Sequence, residues 1–200
     1  MTKILAIIST HGNELLGPNL LAYMLSKRSK LLENIEFIIA NPRAYAKNVR
    51  YTESDLNRSY GLGLDTYEGR RAKIIEERIR LLKPELVLDF HTTTAEQPDI
   101  LITADKNNEV VRRFINSSAV KDILVVKPLN DITRYLDEET VDQERTFYKM
   151  TGKILPEEEK NVTSLENFVY NDELQAIPAF LGEEAYRQDG TYAGFRLKVL

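Results

Sequence analysis

The 200-residue chain is predicted to be an α/β protein, with three αβα layers built on a parallel-rich mixed sheet and a small C-terminal β segment. Three observations lead to that class. Short runs of branched apolar residues recur along the chain, as expected of strands buried on both faces. Stretches with apolar residues at helical spacing lie between them. The two histidines, His11 and His91, both fall just past the ends of such runs, at the sheet edge where α/β proteins gather ligands.

"KILAIIS" (3–9) is the first strand. "NELLGPNLLAYMLSKR" (13–28) follows as a helix, with Leu16, Leu20, Leu21, Met24 and Leu25 on one stripe and Pro18 near its start. "IEFIIA" (35–40) is the second strand, and the order strand, helix, strand predicts a parallel βαβ unit. Residues 41–66 show no clear period and are expected to form a long loop, of a length that is often functional. "YEGRRAKIIEERIRLLK" (67–83) is a strongly amphipathic helix that Lys83-Pro84 ends.

"ELVLDFH" (85–91) is the third buried strand. "DILITA" (99–104) and "DILVVK" (122–127) are strands flanking the helix "NNEVVRRFINSS" (107–118). The segment 135–150 fits helix, loop or amphipathic strand alike. "QAIPAFLG" and "GFRLKVL" read as short strands near the C-terminus. The division expected is an α/β domain over 1–150 and a small β segment over 151–200, packing over the site.

Composition narrows the function. The net charge of −4 argues against a nucleic-acid partner. No apolar stretch approaches the ~20 residues of a membrane helix, and "ILAII" is too short for a signal segment. A chain without cysteine has no thiolate ligands and fits a reducing compartment, so a cytoplasmic location is expected. Any metal must use His, Asp or Glu.

Glu14 lies three residues after His11, in the first turn of the predicted helix, and Gly12 between them permits a sharp bend. Two imidazoles and a carboxylate from three converging positions make a catalytic-type zinc site with an open place for water. Zn²⁺ with two neutral histidines and one glutamate keeps one positive charge, which lowers the pKa of a bound water. The residues alone also fit another account, in which the histidines are polar loop residues and Glu14 answers the helix dipole. Asp89 should project to the same side as His91 and could orient it, or could simply be a polar strand end. Arg50, Asn57 and Arg58, from "NVRYTESDLNRSY", suit a carboxylate-binding loop or a solvated basic one.

Together, "THGNE" (10–14), "NPRA" (41–44), "RYTESDLNR" (50–58) and "DFHTTT" (89–94) resemble the succinylglutamate desuccinylase/aspartoacylase family, of the zinc-carboxypeptidase-like fold. "PAFLGEEAY" (178–186) is similar to the segment that brings a substrate-binding tyrosine into aspartoacylases. The resemblance implies that His11, Glu14 and His91 bind one zinc ion. It implies that Asn57 and Arg58 hold the carboxylate of an N-acyl amino acid and that Arg50 stabilises the oxyanion. Tyr186 matches the substrate tyrosine, and Glu183 the acidic residue before it.

The implied activity is that of a zinc-dependent amidohydrolase acting on linear amides, with zinc-bound water as nucleophile and a small-molecule substrate. The family's general-base glutamate, in an "(I/V)E(V/I)G"-like stretch, has no counterpart here, and usual members are longer. Glu144 and Glu183 are the substitutes the sequence offers. A non-catalytic zinc- or ligand-binding relative and a metallocarboxypeptidase are the alternative functions. A homodimer would cover an exposed sheet edge.

Overall fold

The computed structural model describes residues 4–105, 107–126, 147–155, 165–183 and 194–199, the strand 147–155 by its backbone alone. Two compact units divide the described residues, the first running to Thr92 and the second starting at Thr93. Strand β6 of the second unit spans residue 150.

The first unit contains β1 (Ile4–Ile8), α1 (Leu16–Ser26), β2 (Ile35–Ile39), α2 (Pro42–Lys47), α3 (Tyr67–Leu82) and β3 (Leu86–Asp89). Its sheet has the order β2-β1-β3, and both pairings are parallel. The predicted βαβ unit is therefore present as β1-α1-β2. Strand β1 lies between its partners and is buried from Leu5 to Ile8, which explains its apolar run.

Alternation along β1 sends Leu5 and Ile7 to one face and Ala6 and Ile8 to the other. Leu5 and Ile7 pack in a core with Tyr60, Ala72 and Ile75, so α3 covers that face. A Cβ placed on Gly17 would lie 2.4 Å from Ile8 Cγ2, so α1 lies close against the opposite face. Helices thus flank both faces of this sheet, as the predicted layering requires.

Helix α3 has legible ends, while α1 does not. Thr66 caps α3 by accepting from the Gly69 amide, and Lys83 closes it with a left-handed backbone at φ 46°. Helix α1 starts at Leu16 and its N-cap position, Leu15, offers no side-chain cap. The predicted loop 41–66 contains more structure than its lack of period suggested. Asn41 caps α2 by accepting from the Ala44 amide, Pro42 opens that helix, and a 3₁₀ turn occupies Leu56–Arg58. Helix α2 is too short for periodicity to reveal.

The second unit contains β4 (Ile100–Thr103), α4 (Glu109–Ser117), β5 (Asp122–Val125), β6 (Phe147–Leu155), β7 (Ile177–Ala179) and β8 (Gly194–Val199). The sheet order is β4-β5-β6-β8-β7. The pairings from β4 to β6 are parallel, and β8 runs antiparallel to both β6 and β7. Of the segment 135–150 that the sequence left open between helix, loop and strand, residues 147–150 belong to strand β6 and residues 135–146 lie outside the described residues. Leu124, Val126, Phe168, Ile177, Ala179 and Leu197 form the core of this unit. Among the described residues, no helix is long and apolar enough to cross a membrane.

Close packing of α1 on β1 gives a direct test. Gly17→Ala is expected to destabilise the protein by about 1–3 kcal/mol, because the added methyl group meets Ile8 at its Cβ as well as its Cγ2. Urea denaturation of the two proteins measures the difference.

Candidate metal centre

The bend after β1 starts at Ser9, which is fully buried with a left-handed backbone at φ 54°. The Ser9 carbonyl accepts from the Asn41 amide, while its buried hydroxyl has no hydrogen-bond partner among the described residues. Gly12 follows, at a position where a Cβ would stand 2.1 Å from the Ala44 carbonyl carbon. Only glycine allows the chain to pass that close to α2. The Gly12 amide donates to the Arg50 carbonyl at 3.1 Å, which links this bend to the loop that follows α2.

These constraints turn His11 and Glu14 inward. Both are buried, at 2% and 5% exposure. His91 follows β3 and is partly buried. Ligand atoms from His11, Glu14 and His91 lie within 4.8 Å of one another, and this triad could hold a metal ion. The Glu14 carboxylate bridges the two rings. Its Oε1 lies 2.7 Å from His11 Nδ1, and its Oε2 lies 2.9 Å from His91 Nδ1. The Thr92 amide also donates to Oε2 at 3.1 Å.

Carboxylates also face the far nitrogens of both rings. His11 Nε2 lies 3.1 Å from Asp55 Oδ1. His91 Nε2 lies 3.1 Å from Asp89 Oδ2, out of hydrogen-bond geometry, while Thr10 Oγ1 donates to Asp89 Oδ1 at 2.7 Å. Metal-binding histidines characteristically have one nitrogen toward the ion and the other toward a carboxylate. This donor set, two imidazoles and a carboxylate without thiolates, suits a catalytic zinc ion.

Arg50 adds positive charge beside the triad. Its Nη1 lies 3.7 Å from Glu14 Oε1, and its Nη2 lies 3.5 Å from Asp55 Oδ2. Asn57 and Arg58 stand on the 3₁₀ turn that Asp55 caps, with the Asn57 amide donating to Asp55 Oδ1 at 2.9 Å. Arg58 is exposed and donates to the Asn57 carbonyl. Glu183, in the second unit, accepts from the Thr93 hydroxyl and from the amide and hydroxyl of Thr94. Glu144 and Tyr186 lie outside the described residues.

Sequence reading missed Asp55. It stood inside a quoted motif, directly before "LNR", but nothing in that position marks a histidine 44 residues away as its partner. The Thr92 amide was equally invisible, because a backbone donor has no residue signature.

The ionisation of the triad follows from its contacts. Burial opposes charge on Glu14, but hydrogen bonds and charge attraction from His11 and His91 prevail and hold its pKa at about 2. Asp55 is likewise held at about 2, with burial outweighed by His11, Arg50 and Arg58. For His91, burial opposes the charge, but Asp89 and Glu14 raise its pKa to about 10.

The architecture and this centre define an α/β protein of the zinc-carboxypeptidase-like fold with a His-Glu-His triad that could hold a metal ion. Comparison with known proteins agrees. The succinylglutamate desuccinylase/aspartoacylase catalytic domain matches residues 2–121, and the chain belongs to that family. A probable aspartoacylase of Prochlorococcus marinus (strain MIT 9515) is 44% identical over 104 residues, covering 46% of this chain and 35% of that protein. An N-acyl-aromatic-L-amino acid amidohydrolase (carboxylate-forming) of Xenopus tropicalis is 33% identical over 108 residues, covering 48% and 35%. The match thus spans about a third of the length of these curated relatives.

Among solved structures, murine aminoacylase 3 superposes with a TM-score of 0.66 at 18% identity, over 99% of this chain and 95% of that one. Succinylglutamate desuccinylase from Chromobacterium violaceum gives 0.67 at 14% identity, over 98% and 84%. At these identities the likeness concerns the fold.

The pKa shifts imply a pH profile for the metal-free protein. The raised His91 value adds stability that is complete below its ordinary value of 6.5 and disappears as pH rises through about 10. The lowered Glu14 value adds stability above 4.5 that disappears as pH falls through about 2. Thermal unfolding in a chelator should therefore show the contribution of these two groups at its greatest between about pH 4.5 and 6.5. A melting temperature that climbs from pH 7 to 10 would contradict the assigned contacts.

Proposed function

We propose that the protein is a zinc-dependent amidohydrolase that cleaves the amide bond of an N-acyl amino acid to give a carboxylic acid and a free amino acid. The observation that carries this reading is the convergence of His11, Glu14 and His91 on one point with Arg50 beside them. The family assignment and the printed functions of the relatives support the substrate class.

In this reading His11, Glu14 and His91 hold the ion, and zinc supplies Lewis-acid activation of water and the scissile carbonyl. Asp55 keeps the far nitrogen of His11 oriented, and Asp89 sets a negative charge beside the far nitrogen of His91. Arg50 donates to the oxygen that gains negative charge as the carbonyl is attacked. Asn57 and Arg58 hold the substrate carboxylate, the arginine by forked hydrogen bonds, and Tyr186 is the substrate-binding tyrosine. Glu144 and Glu183 are the two glutamates the sequence offers as proton acceptor for the attacking water, and the oxygens of Glu183 accept from Thr93 and Thr94. The absence of thiols supports a cytoplasmic setting.

Zinc content and turnover test the two halves of the proposal separately. Purified protein supplemented with zinc should retain about one equivalent, and His91→Ala should lose it. Retention of zinc by that variant would mean that the ligands are misassigned. On a panel of N-acetylated and N-succinylated amino acids, Arg50→Ala should lower kcat/KM by about 10²–10³ with zinc retained. Zinc binding without turnover of any panel member would favour the non-catalytic relative.

The base is tested by a pair of variants. Replacing the glutamate that serves as base by Gln is expected to lower kcat by about 10²–10⁴ without loss of zinc, and replacing the other to have the smaller effect. Small effects from both variants would exclude both residues as the base.

A further inference from the structure

Glu68 touches none of the groups assigned to the chemistry, yet it is fully buried in the first turn of α3. An acid placed there for the helix dipole would do as well in solvent. Instead its carboxylate is enclosed by donors. Oε1 accepts from Asn41 Nδ2 at 3.2 Å and from the amide and hydroxyl of Thr52, each at 2.7 Å. Oε2 accepts from the amides of Glu53 and Ser54 at 3.1 and 3.2 Å. Three consecutive loop amides therefore converge on one side chain.

That loop is flanked by the residues that face the metal centre. Arg50 lies two residues before Thr52, and Asp55 follows Ser54 directly. Arg50 belongs to no strand or helix, Asp55 adjoins only the three-residue 3₁₀ turn that it caps, and no backbone ladder runs through the residues between them. A buried acceptor that binds every amide from 52 to 54 supplies the missing anchor. The same carboxylate reaches Asn41, whose side-chain oxygen caps α2 and whose amide binds the Ser9 carbonyl. Loop, α2 and the bend before His11 are thus joined at one point.

We propose that Glu68 is a positioning residue: its buried carboxylate holds the 50–58 loop so that Asp55 meets His11 and Arg50 meets Glu14. Its functional consequence rests on the zinc-site reading above; its anchoring role does not. Both oxygens are needed. Gln would turn an NH₂ group toward backbone amides that require an acceptor. Asp, one methylene shorter, cannot reach both halves of the loop.

Two measurements test this. Hydrogen exchange on Glu68→Gln should show amides 50–58 exchanging at least about tenfold faster, with β3 unchanged. Equal acceleration in the loop and in β3 would mean general destabilisation and overturn the proposal, as would an unchanged loop. Should that variant fail to fold, Thr52→Val removes one donor, leaves Glu68 in place, and should loosen the same amides to a smaller degree.

Zinc affinity, measured by chelator competition, is the second readout. Asp55→Asn should weaken binding by about tenfold or more, and Glu68→Gln should weaken it in the same direction. The double variant should lose less than the sum of the two single losses, because both substitutions act on the Asp55–His11 contact. Additive losses would overturn the link. If the unsubstituted protein binds no zinc, the proposed function fails, and the exchange experiment alone decides the anchoring role.

Discussion

The candidate metal centre depends on a point where two stretches of backbone nearly touch. At Gly12 the chain leaving β1 passes so close to α2 that a single Cβ would overlap the carbonyl carbon of Ala44. The approach fixes how His11 leaves the sheet and brings Arg50 within a hydrogen bond of the same turn. Any side chain at Gly12 would have to move a helix, and with it the loop bearing Asp55. The short distance between His11 and Asp55 follows from this packing as much as from their mutual attraction.

Around that point the charges are arranged in alternation. Glu14 lies between two imidazoles, the imidazoles lie between carboxylates, and Arg50 spans Glu14 and Asp55. An isolated buried carboxylate would take up a proton, since burial penalises charge. Glu14 stays ionised because its surroundings supply compensating positive charge on several sides. The same arrangement suits a dication, which would replace protons on the imidazoles while keeping the carboxylate charged.

Much of this was legible in the sequence for identifiable reasons. The apolar run of β1 reflects burial on both faces, and the spacing of Ile75 and Ile79 reflects one covered side of α3. His11, Glu14 and His91 could be singled out because histidine is rare here and both copies sit at strand ends. Asp55, Glu68 and the Thr92 amide could not be. Asp55 looks like a turn cap, which it also is, and Glu68 looks like an ordinary first-turn acid. Their roles arise from contacts across long sequence separations, which local patterns do not encode. Helix α2 was lost in a region without period because six residues are too few to display one.

Ser9 carries the first residue of the bend into a left-handed backbone, at a cost of about 1–2 kcal/mol for a residue with a Cβ. Glycine would avoid that cost, but it would also widen the range of conformations open to the unfolded chain. Serine narrows those alternatives before folding begins. The direction in which His11 leaves β1 is thereby a property of the backbone, present before any ligand arrives. The positions of the candidate ligands are in this way inherited from the path of the chain itself.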